Sequence, residues 1–540
     1  MTVVESLLHV LPLPFISIPL VLYIIYFAAT VIYRIYFSPL SKFPGPKFAA
    51  ATYLVEIYYD AIKGGQYVNI LKQWHKQYAG PIIRITPDDL HVSDPSFYSI
   101  LYSPTAPSDL SPTESKRALR RHKSLYFCRQ FGTGQQAFQA TCDHDLHRYR
   151  RAAVERFFSP ANIKKLQGLV RGKAEKLCSR LLEAGKTHEA QSEGVRIKFA
   201  LSCFATDVIT NYALGSKEST LDRADFFPEW SDTLAQLGRI GHVMKVLWFL
   251  LPIVEFIPVD FAAKLDPGLG MMLRVRSFAV QQITKLKAKS RAELLEEAEK
   301  DSQVTVYHDV LTGSLPEKEK SVNRLKYDSE TLVGAGTETT GASLAVMLVY
   351  ILSSSSITAK LQSEIDTCLA SGPLELSRIE KLPYLTAVLK EGLRLSYGIC
   401  GRLPRIAEVP LMVQPADDYK AWVIPPGTPV SMDSYFMHTD ASVWGEDVME
   451  FKPERWLDKD EAKRLERYLV PFTKGGRMCV GINLAYAELY LCLAALVHRF
   501  DMELVDTTID HVQFEADWFV PKFKRDLKDI RVIIKERRPN

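Results

Sequence analysis

Apolar residues recur at every third or fourth position along five long segments of the chain. This spacing predicts helices over residues 162–184, 331–352, 357–370, 385–395 and 483–500. Short β-branched or alternating runs beside proline or glycine predict strands instead. These runs are PIIRIT, DDLHVS, LMVQ, WVIP, PVSMD and RVIIK. The pattern as a whole predicts a mainly helical protein with small β-sheets.

The N-terminus follows a different pattern, because residues 11–33 carry no charged side chain. A membrane-spanning helix needs about 20 apolar residues, whereas a cleaved signal has a basic start and an apolar stretch of roughly 7–15 residues. Here Glu5 is the charge that precedes a longer run, and a buried core helix is the alternative. We expect a lumenal segment over 1–10, a transmembrane anchor over 11–33, a proline-rich hinge over 34–50 and one large domain over 51–540.

Charge and cysteine content refine this arrangement. Arg34, Lys42 and Lys47 follow the apolar run, so the positive-inside rule predicts a body in the cytosol. The 540 residues carry a net charge of +4, which is too mild to suggest a nucleic-acid partner. The eight cysteines show neither CxxC pairs nor zinc spacing, which argues against a disulfide framework and fits a reducing compartment.

Two further segments have simple interpretations. The run at 243–261 is strongly apolar, and both a core segment and a second membrane-contacting surface remain open for it. Gly132 and Gly134 form a GxG without the strand, helix and third glycine of a phosphate site. We interpret that stretch as a loop.

One cysteine lies in an unusual context, the stretch PFTKGGRMCVG. Gly475 and Gly481 permit close backbone approach, so this loop can aim amide N–H groups at the Cys479 sulfur, and the thiolate is the metal-binding form. Phe472 offers a flat apolar face, and Arg477 suits bidentate binding of a carboxylate. A buried free cysteine is the simpler alternative. The combination predicts haem, with the sulfur as the axial ligand.

The pattern F-x-x-G-x-R-x-C-x-G resembles the haem-binding loop of the cytochrome P-450 monooxygenases. The helix at 331–352 agrees with that resemblance, because its centre reads AGTETTG. Glycine and threonine conflict with a strong helix there, which indicates a functional site, and we expect an opened turn with room for a small ligand. The alternative is a small-residue helix contact. The match to the family's A/G-G-x-D/E-T-T/S motif implies that Glu338 and Thr339 are a catalytic proton relay.

The resemblance also implies a structural network near the haem. Alone, Glu391 and Arg394 are a helical i,i+3 pair of the kind usually found on surfaces. In the family such a pair joins an arginine of a later P-E-R-[FW] segment, which here is Arg455. His438 is a lone histidine that we interpret as structural.

Further residues match the family's haem-propionate positions. In the sequence HDLHRYRR, Arg151 matches an arginine that reaches a propionate, and His147 stands where the family carries tryptophan. Arg405 matches the arginine that reaches the other propionate. Arg148 and Arg150 are either a solvated face or a docking surface for a redox protein.

What the resemblance implies for the whole chain is a cytochrome P-450 fold, a single large domain behind a transmembrane helix. The cofactor would be haem b, an iron protoporphyrin IX, used to insert one oxygen atom from O2 into a C–H or C=C bond. Electrons would come from NADPH–cytochrome P-450 reductase, with cytochrome b5 as a second donor, at the endoplasmic reticulum membrane with the catalytic domain facing the cytosol. The chain looks most like the membrane-bound fungal members of secondary metabolism.

The substrate class is less defined by the sequence. The segments expected to line the access route are 100–140, 225–260, 331–340, 397–403 and the C-terminal ADWFVPKF, which are rich in apolar and aromatic residues. A hydrophobic terpenoid is the first candidate, followed by a polyketide or a prenylated alkaloid. A P-450-fold isomerase or dehydratase, or a haem-binding or ligand-binding protein without turnover, are the rival functions.

Overall fold

The computed structural model describes residues 13–106, 108–250, 258–265, 267–300, 304–414 and 421–537. The predicted lumenal segment 1–10 lies outside the described residues. Helices of twelve or more residues form the framework of the described chain. They are α1 Leu13–Ile32, α2 Tyr67–Tyr78, α3 His144–Glu155, α4 Pro160–Gly185, α5 Ile197–Leu214, α6 Pro228–Val246, α7 Pro267–Lys287, α8 Val322–Leu352, α9 Ser355–Ala370, α10 Pro383–Leu395 and α11 Ile482–Arg499.

Shorter helices and strands connect these elements. The shorter α-helices are Lys47–Ala51, Leu54–Ile57, Phe97–Tyr102, Pro112–Leu119, Leu125–Cys128, His188–Glu193, Val259–Leu265, Arg291–Lys300, Val306–Thr312, Leu376–Ile379, Ser434–His438, Ala441–Trp444 and Lys459–Glu466. The strands are β1 Ile82–Arg84, β2 Leu90–Val92, β3 Arg121–Lys123, β4 Val195–Arg196, β5 Arg405–Ala407, β6 Leu411–Val413, β7 Trp422–Ile424, β8 Pro429–Ser431, β9 Phe500–Val505, β10 Phe514–Trp518, β11 Val520–Phe523 and β12 Arg531–Glu536.

The secondary structure confirms the mainly helical prediction. The five predicted helices are α4 and α8 to α11, although α8 begins at Val322 rather than at residue 331. All six predicted strands are present, as β1, β2, β6, β7, β8 and β12. The stretch interpreted as a loop is instead a 3-10 segment, Arg129–Gln136, broken at Gly132 by a φ of 55° and a ψ of −127°. Glycine permits that break because it has no Cβ.

Helix α8 is the central element of the core. Its C-terminal half, from Leu344 to Ile351, is a continuous buried run of apolar residues. A helix that is apolar all round must be covered on every side. Accordingly α8 contacts α5, α7, α9, α10 and α11. The part of α8 that precedes Leu344 is less uniform, and the candidate relay residues lie there.

The strands form a small region beside the helices. A five-stranded sheet has the order β1-β2-β8-β5-β3, in which β2 and β8 are parallel and the other pairs are antiparallel. The remaining sheets are β4-β12-β9, β10-β11 and β6-β7. Strand β5 carries Arg405 and strand β3 carries Lys123, so the large sheet brings these two cations to paired positions.

Helix α1 stands apart from this core. Its described side chains are largely exposed, including Ile25 at 58% and Tyr26 at 69% exposure. Within the part of the chain that the structure describes, two stretches are long and apolar enough to span a membrane, namely Ile18–Phe37, none of which is buried, and α8, which is mostly buried. Burial identifies α8 as a core helix. The first stretch remains the candidate anchor.

Candidate haem-thiolate site

The cysteine loop joins a 3-10 turn, Gly475–Arg477, to the start of α11 at Ile482. The amide of Cys479 donates to the Phe472 carbonyl at 2.9 Å, which closes the loop. Gly475 has a φ of 71°, and a Cβ there would lie 2.1 Å from the Tyr102 carbonyl oxygen. Only glycine fits at that position. The loop is therefore held close to the helix Phe97–Tyr102 by its backbone.

The thiol of Cys479 is free and exposed. Desolvation by the surrounding protein raises the pKa of the thiol, and the backbone N–H of Gly481 and the charge of Arg151 offset that rise only in part. An amide and a cation that favour the thiolate are what a metal-binding sulfur requires. Phe472 is half-buried beside the loop, and its ring lies 5.4 Å from that of Tyr486.

Arginine side chains hold this loop against the chain around residues 121–151. Arg477 donates to the carbonyls of Thr141 at 2.7 Å and Cys142 at 2.8 Å, and also to those of Arg121 and Asp143. Arg151 donates to the carbonyl of Met478 and pairs with Glu155 at 3.1 Å. In the structure, Arg477 and Arg151 therefore donate hydrogen bonds to backbone carbonyls of the site itself.

Buried positive charge collects next to this loop. Burial and the neighbouring cations lower the pKa of Arg477 to about 9 and that of Lys123 to about 7. Burial also lowers the pKa of Arg405, which is 2% exposed. The pKa of His147 falls to about 2, first through burial and then through the charges of Arg477, Lys123, Arg151 and Arg405. His147 is therefore a neutral imidazole.

The protein's own negative charges balance these cations only weakly. The carboxylate of Asp143 offsets their charge only in part. Buried charges normally have a paired counter-charge. A ligand that brings two carboxylates would supply one, and a haem carries two propionates beside an iron that binds thiolate. The donor set around Cys479 fits a haem.

The proposed relay residues lie on α8. The Thr339 hydroxyl donates to the Ala335 carbonyl at 2.8 Å, and both residues retain exposed surface in a helix that is otherwise mostly buried. Glu338 is 7% exposed and pairs with Lys198 of α5 at 3.1 Å. Burial raises the pKa of Glu338, and Lys198 lowers it only in part. Glu338 therefore binds a proton more readily than an exposed glutamate.

The expectation of an opened turn at AGTETTG is wrong, because α8 is a continuous helix from Val322 to Leu352. A Cβ on Gly336 would lie 3.0 Å from Ile209, and one on Gly341 would lie 2.9 Å from the Ser202 hydroxyl. The glycines thus permit close packing on α5. The alternative of a small-residue helix contact describes these two positions better.

The three residues of the predicted network meet in the core. Arg394 reaches Glu391 at 2.7 Å, and Arg455 reaches it at 2.9 Å. Trp456 Nε1 and the Lys452 amide donate to the same carboxylate at 2.9 and 3.1 Å. Glu391 and Arg394 are fully buried. We call this group the Glu391 network.

Nearby, His438 is fully buried and accepts a hydrogen bond from the Val470 amide at 2.8 Å. Burial lowers the pKa of this histidine to about 3. A neutral histidine that accepts a hydrogen bond from a backbone amide has a structural role, as the sequence predicted.

A second ion network, the Glu56 network, lies between the segments predicted to line the substrate route. Lys245 of α6 pairs with Glu56 at 2.8 Å and Asp60 at 3.3 Å. Arg402 pairs with Glu56 at 3.1 Å and with Asp60, and His242 lies 3.6 Å from Asp60. A cavity of about 30 Å³ adjoins these side chains. The sequence analysis did not find this group, since its members come from distant segments.

Other site residues also escaped the sequence analysis. Lys123, Lys198 and Glu488 belong to no motif, and each acts through a partner more than a hundred positions away or through the sheet pairing. A buried lysine or glutamate in an apolar helix was the available signal. It was present at Glu488, in the run INLAYAELYLCLAALV.

Comparison with known proteins assigns the class. A model of the cytochrome P-450 family matches residues 46–523, so the chain belongs to that family. Conidiogenone synthase of Penicillium rubens is 38% identical over 495 residues, 91% of this chain and 94% of that protein. N-acetyltryptophan 6-hydroxylase of Emericella nidulans is 36% identical over 523 residues, 96% of each chain.

A third relative, fusicoccadiene C-8 hydroxylase of Phomopsis amygdali, is 34% identical over 529 residues, 96% of this chain and 95% of that protein. Like its relatives, which come from fungi, the protein is a cytochrome P-450 monooxygenase. The family resemblance, the fold class and the enzyme class predicted from the sequence are confirmed.

Proposed function

We propose that this enzyme uses haem b to insert one oxygen atom from O2 into a hydrophobic secondary metabolite, with a terpenoid as the first candidate. The observation that carries the proposal is the free Cys479 thiol, which lies beside a cluster of buried cations whose charge is only partly offset. Cys479 would bind the iron, while Arg405, Lys123, Arg151 and His147 would surround the propionates. A haem bound there supplies O2 activation.

The residues of α8 have proton roles in this proposal. Burial raises the pKa of Glu338, so this residue holds a proton more readily than an exposed glutamate, and Lys198 keeps its carboxyl group oriented at 3.1 Å. Thr339 presents its hydroxyl on the part-exposed face of the helix. Protons would pass from Glu338 through water to the Thr339 hydroxyl, and a rearrangement without net oxygenation has no use for this pair.

Apolar walls support a hydrophobic substrate. Phe131 packs edge-on against Phe127 at 5.8 Å and against Phe519 at 5.5 Å, which joins two of the segments predicted to line the access route. One relative is named for a diene and another for an N-acetylated amino acid. Phe519 has a φ of 68° and is held by Asp517, whose carboxylate accepts its amide at 2.7 Å. Strain of this kind at a pocket wall favours a role in substrate fit.

Electrons would come from NADPH–cytochrome P-450 reductase, with cytochrome b5 as a second donor. Arg148 is exposed on α3, near the cysteine loop, and is available for docking, whereas Arg150 is paired with Glu319 at 2.7 Å. Association through exposed arginines weakens as salt rises. We therefore expect reduction of the enzyme to slow at high ionic strength.

The same proposal places the enzyme on the endoplasmic reticulum, anchored by α1 with the body in the cytosol. The described ends of the apolar run at 243–261 support a second membrane contact, since Phe249 is 58% exposed and Phe261 is 55% exposed. Residues 251–257 of that run lie outside the described part. Fractionation of the source cells, with α1 deleted as the comparison, tests this location.

The first experiment compares the metabolites of the source organism with those of a strain that lacks this gene. A lipophilic compound should accumulate that has one or more oxygens fewer than the missing product. An isomer of equal oxygen content would replace the monooxygenase proposal with a rearrangement.

Two variants test the assigned residues. Cys479→Ala should lose the thiolate-type carbon monoxide spectrum, and a retained spectrum would contradict the ligand assignment. Thr339→Ala should keep that spectrum while more of the consumed O2 leaves as peroxide and less enters product. Unchanged coupling would remove Thr339 from proton delivery.

A further inference from the structure

Three consecutive side chains in the middle of α8 face three different surroundings. Glu338 is 7% exposed against α5, and Thr340 is 3% exposed against α11. Thr339 lies between them and keeps exposed surface, as does Ala335 one turn earlier. Successive residues of an α-helix are rotated by about 100°. The rotation of α8 about its axis therefore decides which of the three faces the open side.

Polar contacts restrain that rotation from both flanks. On one flank, Glu338 pairs with Lys198 at 3.1 Å, and Lys198 is itself held by the Ser202 hydroxyl at 2.8 Å. On the other flank, the Thr340 hydroxyl donates to Glu488 of α11 at 3.0 Å. The restrained positions directly precede and follow Thr339.

Glu488 is not explained by packing. It is 1% exposed in an apolar helix, and its Oε1 atom has no hydrogen-bond partner within the described chain. Burial raises the pKa of this carboxyl to about 8, and the Thr340 bond opposes the rise only in part. The side chain is therefore neutral near pH 7. A buried polar group with one partner costs free energy that a leucine would not.

We propose that Glu488 is a positioning residue that, together with Lys198 on the opposite flank, sets the rotation of α8 and so aims the Thr339 hydroxyl. The inference rests on the proposed function, because it concerns the residue assigned there to proton delivery. A rotation of about 20° would move a side-chain oxygen by roughly 1 Å, given the radius of an α-helix. Displacements of that size are enough to impair catalysis.

The same contact relates the two halves of the site. Helix α11 follows directly on the loop that holds Cys479. Glu488 therefore ties the thiol-bearing loop to the part of α8 that carries Thr339. Rotation in either direction would bring Glu338 or Thr340 toward the face now occupied by Ala335 and Thr339, and would crowd that face.

The test uses the full-length holoenzyme with imidazole as a small haem ligand, followed by optical titration. Thr340→Val and Glu488→Leu each remove the bond, and we expect each to raise the imidazole Kd by about fivefold. Glu488→Gln keeps a neutral acceptor for the Thr340 hydroxyl and should restore the Kd to within about twofold of wild type. Hydrogen exchange of amides 336–342 should quicken in the first two variants only.

Tyr490→Phe is the matched control. It removes a bond of 2.9 Å between the same helix and Thr386 of α10, so it perturbs α11 without touching α8. It should leave both measurements unchanged. A cycle with Thr339→Ala tests the route of the effect, because Glu488→Leu should have little further influence on the Kd once the Thr339 side chain is gone.

Three results would overturn the proposal. In the first, Thr340→Val leaves the imidazole Kd and the hydrogen exchange within twofold of wild type. In the second, Glu488→Gln is as impaired as Glu488→Leu. In the third, Glu488→Leu keeps its full effect on the Kd in the Thr339→Ala background. If Glu488→Leu fails to fold, Thr340→Val still removes the bond. Failure of the wild-type protein to bind haem would refute the proposed function instead. The hydrogen-exchange measurement would still test the restraint on α8.

Discussion

The Glu391 network and the Glu56 network both bury carboxylates among cations, yet they differ in how completely their atoms are paired. Each oxygen of Glu391 accepts at least two hydrogen bonds from Arg394, Arg455, Trp456 or the Lys452 amide. In the Glu56 network, Glu56 Oε2, Asp60 Oδ1 and His242 Nδ1 lack a hydrogen-bond partner in the described chain, and a cavity of about 30 Å³ lies beside them.

The difference separates two uses of buried charge. A carboxylate that is fully buried and fully paired holds its neighbours in place. The Glu56 network has room for about one or two water molecules, which could complete its hydrogen bonds. It joins four segments, at Glu56, Lys245, Arg402 and Asp517, that border the predicted substrate route. We expect the first network to tolerate no change and the second to adapt.

The largest expected effect comes from breaking the paired network. Glu391→Gln would leave Arg394 buried without a carboxylate and Arg455 with Asp447 alone, and should lower the free energy of unfolding by about 3–5 kcal/mol. Urea unfolding of the holoenzyme, followed by fluorescence, measures this loss. A cost below about 1 kcal/mol would contradict the proposed rigidity.

Breaking the adaptable network should cost less. Lys245→Met leaves Glu56 and Asp60 with Arg402, and water entering the cavity should limit the loss to about 2 kcal/mol. Burial raises the pKa of Asp60, but Arg402, His242 and Lys245 outweigh it and hold the pKa at about 2. Because the pKa of Asp60 is lower in the folded protein than in the unfolded chain, its carboxylate stabilises the fold above the usual aspartate pKa. That stabilisation is lost as the pH falls toward 2. The variant should therefore denature at a higher pH during acid titration.

A smaller effect should appear when both partners change. Lys245→Met combined with Glu56→Gln removes one cation and one carboxylate together, and should recover about 1 kcal/mol of the single-variant loss. Urea midpoints of the two single variants and the double variant complete the cycle. Strict additivity would show that Lys245 and Glu56 do not interact.

The smallest effect sets the baseline for the comparison. Glu461 and Arg464 form an i,i+3 pair at 2.7 Å, like Glu391 and Arg394, but their side chains are 43% and 45% exposed. Glu461→Gln should change the free energy of unfolding by less than about 0.5 kcal/mol. An equal loss at both positions would mean that burial does not decide the strength of these pairs.

Sequence analysis reached what depends on local pattern. The helices α4 and α8 to α11 follow from apolar periodicity, and the cysteine loop follows from its glycines and Cys479. The Glu391 and Arg394 pair is visible at i,i+3, but the same spacing at Glu461 and Arg464 lies on the surface. Spacing alone does not distinguish them, and the resemblance to a family supplied the difference.

Local sequence patterns do not predict contacts between distant segments. Glu56 and Arg402 are 346 positions apart, and Thr340 and Glu488 are 148 apart. The glycines of α8 are visible in the sequence, but their role is not, because the partner helix α5 that requires them has no signature in their own segment. The composition of a helix shows that a position is special, while the reason lies on the element packed against it.

The carbonyl contacts of Arg477 also bear on how the enzyme assembles. They join the cysteine loop to residues 334 to 356 positions earlier in the chain. Closure of so long a stretch is slow and entropically costly, so the loop takes its final form only after the region around residues 121–143 has folded. The proposed capture of haem through Cys479 would then be a late event, and the newly made chain would need protection from aggregation until it occurs.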